Sequence, residues 1–366
     1  MFAKTDKVFL TLSVILTTLG ILIFISASMG ILAKNEAKFW GVISNQLVLG
    51  LGCGTILFIY ILKRNFRIWK DKAFFLLIGA VILTILVYIP GVGYSHGGAT
   101  RWVSLGPVSF QPAEFLKIAV IIYMAGWLSW VKGRVNTLHF GLLPFLGIVG
   151  LCAGLLIPQP DTKSLLLIIT SILAMYFVAG LKWKYVAIVV LIGLLGSALL
   201  ISTRPYLLDR VTTFINPASD PQGSSYQLKQ SLIAIGSGGI FGRGPGQSIQ
   251  KFSYLPEPQG DSVFAVVGEE FGFIGTTVLI LLFVAFAMRG LRIASKTVDP
   301  FGKYLIVGFI TLIIIQSFMN IASIIGLFPL TGVPLVFVSH GGTALALSLG
   351  VVALILNISK SSHYAR

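Results

Sequence analysis

Apolar segments long enough to cross a bilayer recur along this chain from end to end, and that recurrence leaves few folds open. Windows with scarcely a charge lie at 8–29, 40–62, 73–91, 112–130, 139–158, 164–180, 185–203, 263–288, 304–324 and 341–359. A helix needs about twenty such residues to span the hydrocarbon layer. Charged residues are 11% of the 366 and hydrophobic ones 56%, with mean hydropathy +0.93, whereas a soluble domain carries about 25% charged residues. A soluble enzyme is therefore excluded. The expected fold is an all-α integral membrane protein of about ten transmembrane helices, a single polytopic domain over 1–366 with a large extracytoplasmic loop at 204–262 between helices 7 and 8.

The surplus of basic residues sorts by side. An even number of spans puts both termini on one face. If that face is cytoplasmic, seventeen of the 27 Lys and Arg fall in inner segments, against nine outside and Lys117 within a span. This bias follows the positive-inside rule, so the net charge of +15 is largely topological and no nucleic acid is needed to explain it. Lys4, Lys7 and Ser26-Ala27-Ser28 imitate a secretory signal, but the apolar stretch between them is too long for one. Cys53 and Cys152 fall in mid-span, where packing is the expected role, and the four histidines lack the spacing of a zinc site.

Four outward stretches keep polar residues in a chain that otherwise avoids them. The first runs from Gly97 through Arg101 and Trp102 to Pro107, then into Gln111-Pro112-Ala113-Glu114 and Lys117. Trp102 suits the membrane interface, and Pro112 suits a first helical turn, which sets Glu114 and Lys117 three apart on one face. These two form either an internal ion pair or the lining of a polar cavity, because charges inside spans are costly and usually functional. The second stretch, Gln159-Pro160-Asp161-Thr162-Lys163, has the composition of an ordinary turn.

The third is the long loop, with Arg204, Arg210, Lys229, Arg243, Lys251 and a glycine run over 236–246. It is either a flexible connection or an anion cradle of backbone N–H groups and cations. It ends at Asp261, which either caps the next helix or serves as a general base at the membrane interface. Glu269 and Glu270, about 12 Å or more farther along that helix, are expected as buried polar contacts. The fourth stretch, 326–334 followed by Ser339-His340-Gly341-Gly342, is rich in Pro and Gly and is expected to close the outer mouth.

In this order the stretches resemble the SEDS family of bacterial shape, elongation, division and sporulation proteins, the RodA/FtsW group, over essentially the whole chain. The matching motifs are Gly98-Ala99-Thr100-Arg101-Trp102, Gln111-Pro112-Ala113-Glu114 with Lys117, Gln159-Pro160-Asp161, residues 230–239, Leu255-Pro256-Glu257, Gly268-Glu269-Glu270 and residues 329–334. Residues 89–93 and 246–251 are more similar to the FtsW branch than to RodA. The resemblance implies a peptidoglycan glycosyltransferase of the cytoplasmic (inner) membrane that polymerises lipid II for division or elongation, inverting the sugar and releasing undecaprenyl diphosphate. It implies a class B penicillin-binding protein (transpeptidase) as partner beside lipid II and membrane lipid, and leaves a divalent cation, Mg or Mn, open as a cofactor.

On this resemblance Asp261 takes the place of the essential acid, and Arg101, Trp102, Glu114, Lys117, Arg210 and Arg243 are candidate substrate-binding residues. The chain departs from the family pattern at Gly260 and Ser262, where Thr and Phe are usual, and at Ala113, Lys163, Val336 and His340, where Ser, Gly, Pro and Tyr are common. Lys163 is either an extra cation or a counter-charge for Asp161. Two rival functions fit the same spans: a lipid II flippase, which would not need Asp261 as a base, and a non-enzymatic cell-wall scaffold.

Overall fold

Apolar sequence of this kind satisfies its backbone polar groups in hydrocarbon only as helix. The computed structural model of the protein describes residues 5–96, 99–105, 108–216 and 224–362. Its main helices are α1 (Lys7–Leu32), α2 (Glu36–Lys63), α3 (Ala73–Leu86), α4 (Pro112–Val131), α5 (Leu138–Leu156), α6 (Thr162–Val178), α7 (Trp183–Thr203), α8 (Pro205–Ile215), α9 (Ser224–Gly238), α10 (Val263–Lys296), α11 (Pro300–Ile324) and α12 (Gly342–Ser362). Eight are long and apolar enough to cross a membrane, and α3 and α6 are shorter apolar helices, so every expected window falls on helix. The other two, α8 and α9, lie within the long loop. Gly97, Gly98, Gly106, Pro107 and His363, singled out in the sequence, lie outside the described residues.

Two helices depart from regularity toward the end of the bundle that carries the long loop. In α2 the residues Asn45–Cys53 widen into π-helix, and Asn45 and Gln46 there accept the N–H groups of Gly342 and Gly341 at 3.2 and 2.8 Å, closing the start of α12. In α10 the backbone breaks at Gly272 (φ 63°, ψ −162°). A Cβ at Gly272 would stand 2.4 Å from the Gly242 nitrogen, so the glycine run of the loop packs into the break. The N–H groups of Phe273 and Ile274 donate to the carbonyls of Gly239 and Ile240 at 2.9 and 3.1 Å.

At the centre of the bundle, Leu116, Val120, Ile121 and Met124 of α4 and Leu305 and Phe309 of α11 are fully buried. By contrast, α7 lies at the periphery, with only Val189 buried. The segments assigned to the cytoplasm gather at one end, where Arg289 pairs with Asp6 at 2.7 Å and Arg67 with Asp299 at 3.0 Å. Between α3 and α4 the chain forms a small antiparallel sheet of β1 (Gly93–His96), β2 (Ala99–Leu105) and β3 (Val108–Phe110), in the order β1-β2-β3 with Tyr94 opposite Trp102.

Candidate active site

Asp261 stands in a turn, one residue before the cap of α10. That cap is Ser262, and the Asp261 carboxylate takes none of the first-turn N–H groups, which removes the capping role. The turn is pinned through its backbone: the Gly260 carbonyl accepts Ser339 Oγ at 2.7 Å, and the Asp261 carbonyl accepts Asn320 Nδ2 at 2.7 Å. The fully buried Ser262 hydroxyl accepts Gln227 Nε2 at 2.9 Å, tying the turn to α9. Both flanking departures from the family pattern thus find room: Ser262 makes a contact, and a Cβ at Gly260 would meet nothing closer than 3.5 Å. With its backbone fixed, the half-buried Asp261 carboxylate accepts no hydrogen bond and has no ion pair within 4.0 Å among the described residues.

Facing it is the irregular strap Thr331-Gly332-Val333-Pro334, whose four successive carbonyls each accept a different side chain. Arg210 Nη1 reaches Thr331 at 3.1 Å, Lys163 Nζ reaches Gly332, Asn320 Nδ2 reaches Val333 at 2.7 Å and Gln316 Nε2 reaches Pro334 at 3.2 Å. Polar backbone at membrane depth is tolerated when protein satisfies it in this way. Gly332 has φ 63°, and a Cβ there would meet Asp261 Oδ2 at 3.0 Å and Lys163 Nζ at 3.8 Å. The strap therefore brings Asp261, Lys163 and Arg210 to one corner, with α8, α6, α11 and the turn before α10 all contributing.

The β2 residue Arg101 leans on the Gln159-Pro160-Asp161 turn. Its Nε donates to the Gln159 carbonyl at 3.0 Å and its Nη2 to the Pro160 carbonyl. Asp161 is fully buried and accepts Ser164 Oγ at 2.8 Å, Ser164 N–H at 3.3 Å and Gln111 Nε2 at 3.0 Å. It caps α6 and has no ion pair with Lys163, which settles the alternatives for that lysine: Asp161 is not its counter-charge. Trp102, beside Arg101, is half-buried in the sheet.

Glu114 and Lys117 do pair, at 2.8 Å, and Lys117 also donates to Gln316 Oε1 at 3.0 Å. Because Gln316 holds Pro334, this pair is linked to the strap. It borders a cavity of about 40 Å³ together with Gln316, Ser339, His340 and Ser348, room for a few waters. His340 stacks on Phe24 at 5.8 Å, and its buried Nε2 has no partner among the described residues; burial holds its pKa below the ordinary value. Both readings of the Glu114–Lys117 pair are thus realised together.

Arg243 is not brought to this corner. Its Nε lies 3.6 Å from Glu269, which also accepts Ser248 Oγ at 2.6 Å and the N–H groups of Ile249 and Gln250 at 3.0 and 3.2 Å. Glu270 is likewise consumed, by Lys251 at 2.6 Å and Ser26 at 2.7 Å. These glutamates are the buried contacts expected of them, and they turn the glycine-rich part of the loop into packed structure. No group of three or more His, Cys, Asp or Glu side chains able to hold a metal occurs among the described residues.

The likeness to known proteins covers this whole arrangement. A family model described as cell cycle protein, spanning FtsW, RodA and SpoVE, matches residues 6–364. The chain belongs to this family. It is 38% identical over 359 residues to stage V sporulation protein E of Bacillus subtilis, covering 98% of each chain. It is 37% identical over 357 residues to a probable peptidoglycan glycosyltransferase FtsW of Trichlorobacter lovleyi, covering 98% of this chain and 93% of that one. Among solved structures, a chain of a peptidoglycan synthase complex that coordinates polymerisation and crosslinking superposes with TM-score 0.79 at 26% identity over 99% of both chains. The rod shape determining protein RodA of Thermus thermophilus superposes with TM-score 0.73 at 24% identity, again over 99% of both.

Within this FtsW/RodA/SpoVE fold, sequence reasoning overlooked Asn320, Gln316 and Ser339. A signal for the first two was present: Gln316 and Asn320 stand four apart, on one face of an otherwise apolar span, and polar side chains there face the protein interior.

Proposed function

We propose that this protein is a peptidoglycan glycosyltransferase that polymerises lipid II at the outer face of the cytoplasmic membrane, with both termini cytoplasmic and a class B penicillin-binding protein as partner. One observation carries this reading: in a chain of this family, the Asp261 carboxylate is held by its backbone yet takes no donor among the described residues, in a corner that also holds Lys163 and Arg210. A free carboxylate suits a general base, and cations suit an anionic leaving group.

In the proposed reaction the GlcNAc 4-hydroxyl of one lipid-linked saccharide attacks the anomeric carbon of the MurNAc on the other. Asp261 takes the hydroxyl proton, the new O–C bond forms, and the bond from that carbon to the diphosphate oxygen breaks with inversion. The diphosphate departs with the electron pair, toward the cations. Arg101 and Trp102 act by setting the small sheet against the Gln159–Asp161 turn at the rim. Glu114 and Lys117 hold α4 to α11 and, through Gln316, hold the strap opposite Asp261. The positive-inside bias supports the orientation, and the likeness to a chain of a synthase complex supports the partner.

The test is polymerisation of labelled lipid II by the purified protein, with and without a candidate transpeptidase. Glycan strands from the wild type and none from Asp261→Asn are expected. Full polymerisation by the Asn variant would sink the assignment, and lipid II translocation without polymerisation would favour a flippase.

A further inference from the structure

Lys163 is the cation of the site that the family pattern does not supply, and its surroundings give it no counter-charge among the described residues. It lies in the first turn of α6, half-buried, with one ammonium N–H on the Gly332 carbonyl. Its other two donors have no partner among the described residues, and no carboxylate lies within 4.0 Å of it. Asp161, two residues away, is saturated by Ser164 and Gln111. A partly buried cation without a counter-ion costs free energy. A neutral donor would pin the strap equally well, so the charge itself calls for an anion.

We infer that Lys163 binds the diphosphate of the lipid-linked donor, in the same site as Asp261; this rests on the glycosyltransferase reading above. A Cβ on Gly332 would be 3.0 Å from the Asp261 carboxylate and 3.8 Å from the Lys163 ammonium, so the two lie within about 7 Å of each other. In inverting glycosyl transfer the base and the group receiving the leaving oxygen flank opposite faces of the ring, about 6.5–9.5 Å apart in the analogous hydrolases. The upper bound of about 7 Å on the Asp261–Lys163 separation reaches the near end of that range. Arg210, on the neighbouring Thr331 carbonyl, brings a second cation to the same strap. The ammonium would hold the diphosphate in the ground state and take up the charge that appears on its bridging oxygen as the bond breaks.

The experiment is binding of undecaprenyl diphosphate, with undecaprenol as the phosphate-free control, to the full-length protein in detergent, read by native mass spectrometry. Lys163→Gln is expected to weaken the diphosphate by about tenfold or more, leave undecaprenol unchanged and keep the wild-type melting temperature. Lys163→Arg is expected to restore binding. Equal retention of the diphosphate by wild type and Lys163→Gln would overturn the inference, as would an equal loss of both lipids or an Arg variant no better than Gln. Selective loss of the diphosphate from Lys163→Gln, in a protein that does not polymerise lipid II, would overturn the reaction while leaving the diphosphate site in place.

Discussion

Three carboxylates stand within ten positions around the start of α10, and they have been used in opposite ways. Glu269 and Glu270, each 1% exposed, are surrounded by donors: a half-exposed arginine, a serine and two backbone N–H groups for the first, a buried lysine and a serine for the second. Asp261 has its backbone tied down and its carboxylate left open. The same division holds for the cations. Arg289, Arg67 and Lys251 pair with acids, whereas Arg101 and Lys163 donate to neutral carbonyls and have no carboxylate within 4.0 Å among the described residues. Saturated charges stitch the loop and the inner end together. The open ones, Asp261 and Lys163, meet at the strap, where the proposed reaction needs a base and a cation.

Breaking the open member of the trio should have the largest effect. Asp261→Asn preserves size and the backbone contacts but removes the base, so the polymerisation rate should fall about 10²–10⁴-fold with no change in melting temperature. A loss of stability comparable to that of a saturated glutamate would erase the distinction between the two kinds of acid.

Glu270→Gln should do the reverse. It strands Lys251 in a site where both side chains are essentially inaccessible, and breaking a buried pair from one side costs about 3–5 kcal/mol. Yield and thermal stability should drop together. Pairing it with Lys251→Met should recover most of the loss, because removing both charges removes the stranded one.

Asn320→Ala tests whether the open carboxylate depends on being held. The amide donates to the carbonyls of both Asp261 and Val333, and a buried acceptor left without its donor costs about 1–3 kcal/mol. Turnover should fall about tenfold on that account, with the lipid II KM little changed, because the base moves while the cations stay. A rise in KM at constant kcat would assign Asn320 to binding instead. Arg243→Ala should matter less: its contact with Glu269 is long and partly solvated, of the class worth about 0–1 kcal/mol, and Glu269 keeps its three shorter donors.

How much of this was legible in advance follows the same division. The helices were, because a lipid-facing segment must be both apolar and internally hydrogen-bonded, and that writes itself into composition. Asp261 was legible as one acid with two possible uses, and Glu114 with Lys117 as a pair three apart. The position of Arg243 was not, since a cation in a glycine-rich loop looks the same whether it awaits a phosphate or meets Glu269 from a distant turn. Nor was the strap: nothing local to Thr331–Pro334 says that Lys163, Arg210, Gln316 and Asn320, from three separate helices, will each take one of its carbonyls. The small sheet did leave a trace, in the β-favouring Trp102-Val103 between Arg101 and Ser104.

His340 offers the finest test, because it is neither saturated nor charged. It sits beside the Glu114–Lys117 cavity with an unpartnered Nε2, and burial lowers its pKa from the ordinary 6.5. The unfolded chain therefore binds this proton more readily than the folded one. Stability from this group is complete above the ordinary value and is lost as the pH falls through the depressed one. Between about pH 7.5 and about pH 5 the wild type should lose more melting temperature than His340→Phe, which keeps the stacking on Phe24 but cannot titrate. Parallel curves would mean that the imidazolium finds an acceptor or a counter-charge on protonation, and this end of the bundle would then hold one saturated group more than its geometry displays.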